Sequence, residues 1–250
     1  MMKPLRAAWK LLRALTHALA GYWTIRTLFP RLTPAEREQR VEAWSRQLLA
    51  CLDITLEVRG SPCAQGPVLL VANHISWLDI AVMHAARYCR FVSKADVKQW
   101  PLIGTLATGV GTLYIERESR RDAMRVVHHM AERLRAGDVV AVFPEGTTSD
   151  GIALLPFHAN LIQAAISAEA PAQPVALQFL DSATGQRSAA PCYIGDDTLL
   201  GSIWRTLTAP GITAVVTFGA PQQAQGRDRR GWAHSLRDDV AALRERGPHR

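Results

Sequence analysis

Short apolar and β-branched runs alternate with helical periods over most of this chain, and that alternation specifies an α/β domain with a mostly parallel central sheet flanked by helices. The strand-like runs are Ile54–Val58, Val68–Ala72, Phe91–Ser93, Thr112–Ile115, Val139–Phe143, Pro174–Leu180, Leu199–Leu207 and Thr213–Phe218. Helical periods fall at Trp77–Tyr88, Ser119–Ala136 (closed by Gly137), Leu155–Glu169 and Gly231–Arg246. Ahead of them, Thr33-Pro34-Ala35-Glu36 reads as a helix start. Thr33 caps, Pro34 stands where a missing N–H costs nothing, and Glu36 reaches back, so a helix should run from Pro34 to Leu52. The expected division is a two-helix N-terminal segment over residues 1–52 and an α/β domain over 53–250. At 250 residues the core needs no staple. Cys51, Cys63, Cys89 and Cys192 lie far apart, with no paired spacing that would hold zinc, and read as reduced thiols in a cytosolic setting.

The net charge of +7 is concentrated at one end. Lys3, Arg6, Lys10, Arg13, Arg26 and Arg31 are accompanied by no acid within residues 1–31, whereas the remainder is nearly balanced, with 23 bases against 22 acids. A nucleic-acid-binding protein spreads its bases over a folded face, so no nucleic-acid partner is expected. The 12 uncharged residues between Arg13 and Arg26 fall short of the ~20 apolar residues that span a bilayer. Arg26 stands where a signal peptide would need a small-residue cleavage site. On a helical wheel the first four bases form one stripe and Leu5, Trp9, Leu12, Leu15 and Leu19 a neighbouring one, the pattern of an interfacial helix with its bases toward anionic headgroups. The expected location is a membrane surface, on its cytoplasmic face. Packing of the first two turns on the chain's own domain accounts for their pattern equally well.

Two segments follow strands directly, where open α/β sheets place their ligands: Asn73-His74-Ile75-Ser76-Trp77-Leu78-Asp79 and Phe143-Pro144-Glu145-Gly146-Thr147-Thr148. A histidine five residues before an aspartate is common by chance, and His234 and Asp239 repeat the spacing in a charged C-terminal helix, where a solvated face is the expected reading. Phe-Pro-Glu-Gly is different, with ~0.001 chance occurrences expected at this composition. His128 and His129 point ~100° apart on a helix and make a poor metal pair.

Together these residues resemble the glycerolipid acyltransferases, typified by 1-acylglycerol-3-phosphate acyltransferase. The likeness runs from Val68 to Phe179 in five ordered blocks. Asn73-His74 with Asp79 is similar to the H-x4-D block. Lys94 through Trp100-Pro101-Leu102-Ile103-Gly104 is similar to the K…W-P-x-x-G stretch, and Gly111 through Arg117 to the G-x-x-[FL]-I-x-R block. Phe143–Gly146 resembles the F-P-E-G block, and Gln173-Pro174-Val175 the last. The resemblance implies transfer of a fatty acyl group from an acyl-CoA or acyl-carrier-protein thioester to a lysophospholipid hydroxyl, 1-acylglycerol-3-phosphate first, with no cofactor and no metal.

A lysolipid hydroxyl attacks a thioester at neutral pH only if a base takes its proton, and His74 is the well-placed candidate. Residues five apart in a helix point ~140° away from each other, so His74 must sit in the loop before the helix that carries Asp79. Asp79 would hold the tautomer and stabilise the imidazolium, and the lipid supplies the nucleophile, so no acyl-enzyme is expected. Ser76 is expected to cap the helix. From the resemblance, Arg117 would pair with an acceptor phosphate and Lys94 add a second contact, the alternatives being an ion pair with Glu116 or Glu118 and a solvated lysine. Glu145 would bind glycerol hydroxyls or order its loop, and Gly146 would admit the acceptor closely. Phe143 and Pro144 read as packing residues, and His158 as a loop or helix-start residue. Thr147 and Thr148 complete the acceptor side, but phosphatidate-forming members read E-G-T-R there. The hydroxyl of Thr148 in place of a cation raises lyso-ornithine lipid or another non-phosphatidate lysolipid as acceptor. From another class, a non-catalytic membrane-binding protein is the competing reading.

Overall fold

The computed structural model describes residues 3–115 and 120–245. Among the described residues seven strands form one sheet: β1 (Ile54–Arg59), β2 (Val68–Ala72), β3 (Arg90–Lys94), β4 (Leu113–Ile115), β5 (Val139–Val142), β6 (Ala172–Asp181) and β7 (Ile212–Phe218), in the order β1-β7-β6-β2-β5-β3-β4. Every pairing is parallel except β6 with β7. The sheet is therefore mostly parallel, as expected, and β2, at its centre, is buried on both faces.

Strand periodicity sorts the core into two layers. Leu70, Ala72, Ala141, Val175 and Leu177 face a layer that includes Leu49 of α2 (Pro34–Cys51), Met83 of α3 (Asp79–Ala86) and Leu207 of α7 (Leu199–Thr208). Leu69, Val71, Val140 and Val142 face Met130 and Leu134 of α5 (Arg120–Arg135), Ala164 of α6 (Gln163–Ser167) and Trp232 and Leu236 of α8 (Arg229–Glu245). Because β2, β5, β3 and β4 run the same way, the loops after them share one rim.

The N-terminal segment lies on the first layer. α1 (Lys3–Thr27) packs against α2, α7 and α4 (Ile103–Gly109). His17 and Trp44 clasp α1 to α2: their rings stack at 4.9 Å, His17 Nε2 donates to Trp44 O at 2.9 Å, and Trp44 Nε1 donates to His17 O at 3.2 Å. Gly21 leaves room for that indole, since a Cβ there would come within 2.5 Å of Trp44 Nε1. The expected capping box of α2 is present, with Glu36 N–H donating to Thr33 Oγ1 and Thr33 N–H to Glu36 Oε2. The apolar stripe of α1 stands out from the fold: Leu5, Trp9, Leu12, Leu15, Leu19 and Trp23 are 49–63% exposed. The basic stripe does so only at Lys3 and Arg6. Lys10 is 7% exposed and pairs with Asp53 at 3.4 Å, while Arg13 reaches Asp53 and donates to Ala50 O. The expectation of lipid-facing bases thus fails for these two, which are drawn to the carboxylate and open carbonyls at the C-terminus of α2. Among the described residues no helix is long and apolar enough to cross a membrane.

Three other expectations are corrected. Residues 199–208 form a helix, not a strand: Thr198 caps it through Gly201 N–H, and Ser202 and Thr206 face inward onto the carbonyls of Cys192 and Ala190. The helix expected over Leu155–Glu169 shrinks to Gln163–Ser167: Pro156 disfavours helical backbone at Leu155, and Leu155 N–H and His158 N–H tie the stretch to Glu145 Oε2 and Pro144 O. The helix expected from Trp77 begins at Asp79, and its N-cap, Leu78, makes no side-chain capping bond. Ser76 serves the turn before it, accepting from Leu78 N–H and donating to Pro191 O.

Candidate active site

The site begins where β2 ends. Asn73, fully buried, extends the β2–β6 ladder by one side chain: its Oδ1 accepts from Leu177 N–H at 2.7 Å and its Nδ2 donates to Leu177 O at 3.0 Å. That amide ties the start of the loop to the sheet, and His74 follows in the loop, where the spacing argument requires it. Its Nδ1 lies 2.7 Å from Asp79 Oδ2, and the same oxygen accepts from Ile75 N–H at 2.6 Å and Ser76 N–H at 2.9 Å. Asp79, the first residue of α3, is completely buried. One carboxylate oxygen therefore folds the loop around itself and receives the Nδ1–H, which leaves the Nε2 lone pair of the neutral ring free to accept a proton.

The loop after β5 closes on His74 from the other side. Glu145, 3% exposed, uses both carboxylate oxygens: Oε1 accepts from His74 N–H at 2.7 Å and Oε2 from Leu155 N–H at 2.9 Å. Burial raises its pKa, opposed by these two N–H groups and by the nearby Arg244 guanidinium. His74 O accepts from Ser149 N–H at 2.8 Å and Ser149 Oγ at 3.1 Å. The imidazole stacks on Phe143 at 4.1 Å between centroids, with 5° between planes. Of the two roles open to Glu145, loop ordering is the one its contacts serve. Gly146 has φ +74°, which favours glycine at the turn, and a Cβ there would press on the His158 ring at 3.1 Å.

The other sequence-derived candidates divide. Gly146 and Thr147 are exposed beside Glu145. Thr148 is partly buried, its hydroxyl donating to Tyr193 O. Lys94 is exposed at the end of β3, on the same rim as the His74 loop. Arg117 lies outside the described residues. In the C-terminal helix, His234 pairs with Asp238 while Asp239 accepts from Gln222, so the repeated spacing there builds no His–Asp pair. Among the described residues no group of three His, Cys, Asp or Glu side chains is arranged to hold a metal.

One contributor carries no sequence signal. The segment Pro191-Cys192-Tyr193 is bound to both catalytic-side loops: Ser76 Oγ donates to Pro191 O at 2.5 Å, Tyr193 N–H to Ile75 O at 3.2 Å, and Cys192 Sγ to Asp150 O at 3.5 Å. These contacts run mostly through backbone carbonyls, which any residue supplies.

A partly exposed histidine backed by a buried aspartate, with its Nε2 open, on the ligand-bearing rim of an α/β sheet, defines a site for general-base chemistry on an external nucleophile. Comparison with known proteins gives this its class. Residues 55–178 match the acyltransferase family profile. The chain is 39% identical to a 1-acyl-sn-glycerol-3-phosphate acyltransferase of Neisseria gonorrhoeae, over 84% of this chain and 82% of that protein. It is 37% identical to a lyso-ornithine lipid O-acyltransferase of Pseudomonas aeruginosa, over 86% and 83%. Its fold matches the crystal structure of the 1-acyl-sn-glycerophosphate acyltransferase of Thermotoga maritima with a TM-score of 0.64 and 18% identity, covering 96% of this chain and 99% of that one. The chain belongs to the acyltransferase family and is an O-acyltransferase.

Proposed function

We propose that this enzyme acylates the free hydroxyl of a lysolipid, 1-acylglycerol-3-phosphate in the first instance, with an acyl-CoA or acyl-carrier-protein thioester as donor. The observation that carries the reading is the His74–Asp79 pair, held at ring, backbone N–H and backbone O by three separate groups. His74 Nε2 takes the hydroxyl proton as the alkoxide oxygen bonds to the thioester carbonyl carbon. Collapse of the tetrahedral adduct breaks the carbon–sulfur bond, and the thiolate takes its proton back from the imidazolium. Asp79 stabilises the imidazolium between these steps. Lys94 and Arg117 receive the acceptor's phosphate, and Gly146 and Thr147 leave space beside it.

A second acceptor, lyso-ornithine lipid, is favoured by Thr148: its side chain is committed to Tyr193 O and brings no charge to a phosphate. Purified enzyme offered a panel of lysolipids with both carriers, the products read by mass spectrometry, decides between them. Phosphatidate as the sole product supports the first reading and acylated ornithine lipid the second, while failure to acylate any lysolipid refutes both.

The exposed stripe of α1 is the proposed membrane contact. Its six large side chains, about half exposed, would each contribute roughly 1 kcal/mol on entering the acyl boundary, with Lys3 and Arg6 near anionic headgroups. Trp9→Ala with Trp23→Ala should weaken binding to anionic vesicles at least tenfold in a sedimentation assay; unchanged binding overturns the assignment.

A further inference from the structure

An imidazole fastened at one nitrogen is only half positioned. Held by the Cβ–Cγ bond and the single hydrogen bond at Nδ1, the ring keeps some freedom to rotate about Cβ–Cγ, which swings Nε2 away from an incoming hydroxyl. Proton transfer requires the acceptor nitrogen within hydrogen-bond reach and along its lone pair, so a second restraint on the plane of the ring is needed.

We propose that Phe143 supplies it, as a positioning residue that fixes the plane of the His74 imidazole while Asp79 fixes its corner. The 4.1 Å separation and 5° between planes put the two rings in full face contact. Phe143 is itself prevented from tilting. It continues β5 on the face that carries Ala141, and its ring lies 5.4 Å from Phe91 with 20° between planes. Phe91 meets His84 edge to face at 5.1 Å, and His84 is pinned through its contact with Cys89 O. Three aromatic rings, His84, Phe91 and Phe143, thus lead from the core to the reacting imidazole, each setting the orientation of the next. An aliphatic side chain of similar bulk would fill the space beneath His74 without presenting a flat face, so the aromatic ring contributes something beyond packing.

The inference rests on His74 being the base, and the experiment separates the two. Phe143→Leu, Phe143→Tyr and His74→Ala are assayed in parallel. The leucine variant should lose roughly 10- to 100-fold in kcat, the scale of a misdirected reacting atom, with KM for donor and acceptor unchanged. The tyrosine variant, which keeps the flat face, should stay near wild type. In wild-type protein, NMR should show the His74 ring protons shifted upfield by the facing ring, and the leucine substitution should remove that shift. Wild-type kcat in Phe143→Leu, equal losses in the leucine and tyrosine variants, or no ring-current shift in the wild type would each overturn the proposal, the last even if the leucine variant does not fold. If His74→Ala retains turnover, it is the base assignment that fails.

Discussion

Asp79 Oδ2 performs two tasks at one point in space, and two substitutions separate them. In Asp79→Asn, an amide oxygen placed where Oδ2 stands can still accept from His74 Nδ1, Ile75 N–H and Ser76 N–H, so ring tautomer and loop are preserved. What disappears is the negative charge beside the imidazolium that forms as the hydroxyl is deprotonated. Two unit charges whose centres lie about 4 Å apart attract by about 4 kcal/mol at an effective dielectric of 20, and a charge-assisted hydrogen bond exceeds a neutral one by about 1 kcal/mol. The transition state should therefore lose roughly 2–4 kcal/mol, about 30- to 1,000-fold in kcat. Asp79→Ala also removes the acceptor of two buried backbone N–H groups, about 1–3 kcal/mol each. At 2–4 °C per kcal/mol for a chain of this size, its melting temperature should fall by about 10 °C, and that of the asparagine variant by much less. Thiol release from the donor, followed by a chromogenic disulfide, gives kcat, and circular dichroism gives the melt. Wild-type kcat in Asp79→Asn would refute the electrostatic role, and identical melts for the two variants would refute the loop-organising one.

Further expectations follow from the same geometry. Glu145→Gln can satisfy only one of the N–H groups of His74 and Leu155 through its single amide oxygen, so it should cost about 1–3 kcal/mol of stability and lower kcat more than KM; thermal melts and steady-state kinetics check both. His84 is fully buried and its pKa is lowered to about 4, chiefly by burial, whereas an unfolded histidine takes up a proton near its model value of 6.5. Its contribution to stability is present above about 6.5 and is lost as pH falls through the window to about 4, on the order of 3 kcal/mol in all. Denaturant melts of wild type and His84→Gln, which can still donate to Cys89 O, should converge as pH falls from 7 to 4. A constant gap between them would contradict the assignment.

Legibility in the sequence followed the physical origin of each feature. Strands β2, β5 and β7 were evident because burial on both faces makes them continuous apolar runs, and α2 because its cap is written in consecutive residues. The His74–Asp79 pair stood out through the family resemblance, and helical geometry then placed His74 in the loop before α3. Leu199–Leu207 was misread because its inward face carries Ser202 and Thr206, whose hydroxyls are satisfied by backbone carbonyls and break the apolar period. The helix expected at Leu155 overlooks Pro156, which disfavours helical backbone at the residue before it, and no local propensity reveals that Glu145 will hold Leu155 N–H. The partner of Lys10 was hidden for the same reason, since Asp53 lies far along the chain and meets it only after α1 and α2 fold together.

The binding of Pro191–Tyr193 to the loops at Ile75, Ser76 and Asp150 has a consequence for synthesis. A nascent chain that has cleared the ribosome only as far as the end of β6 already contains His74, Asp79, Phe143 and Glu145, yet Ser76 and Ile75 have nothing to close against. Catalytic competence should therefore arrive late in translation, when α7 emerges and draws residues 190–193 down onto the rim, and shortened transcripts ending before that point should yield inert protein.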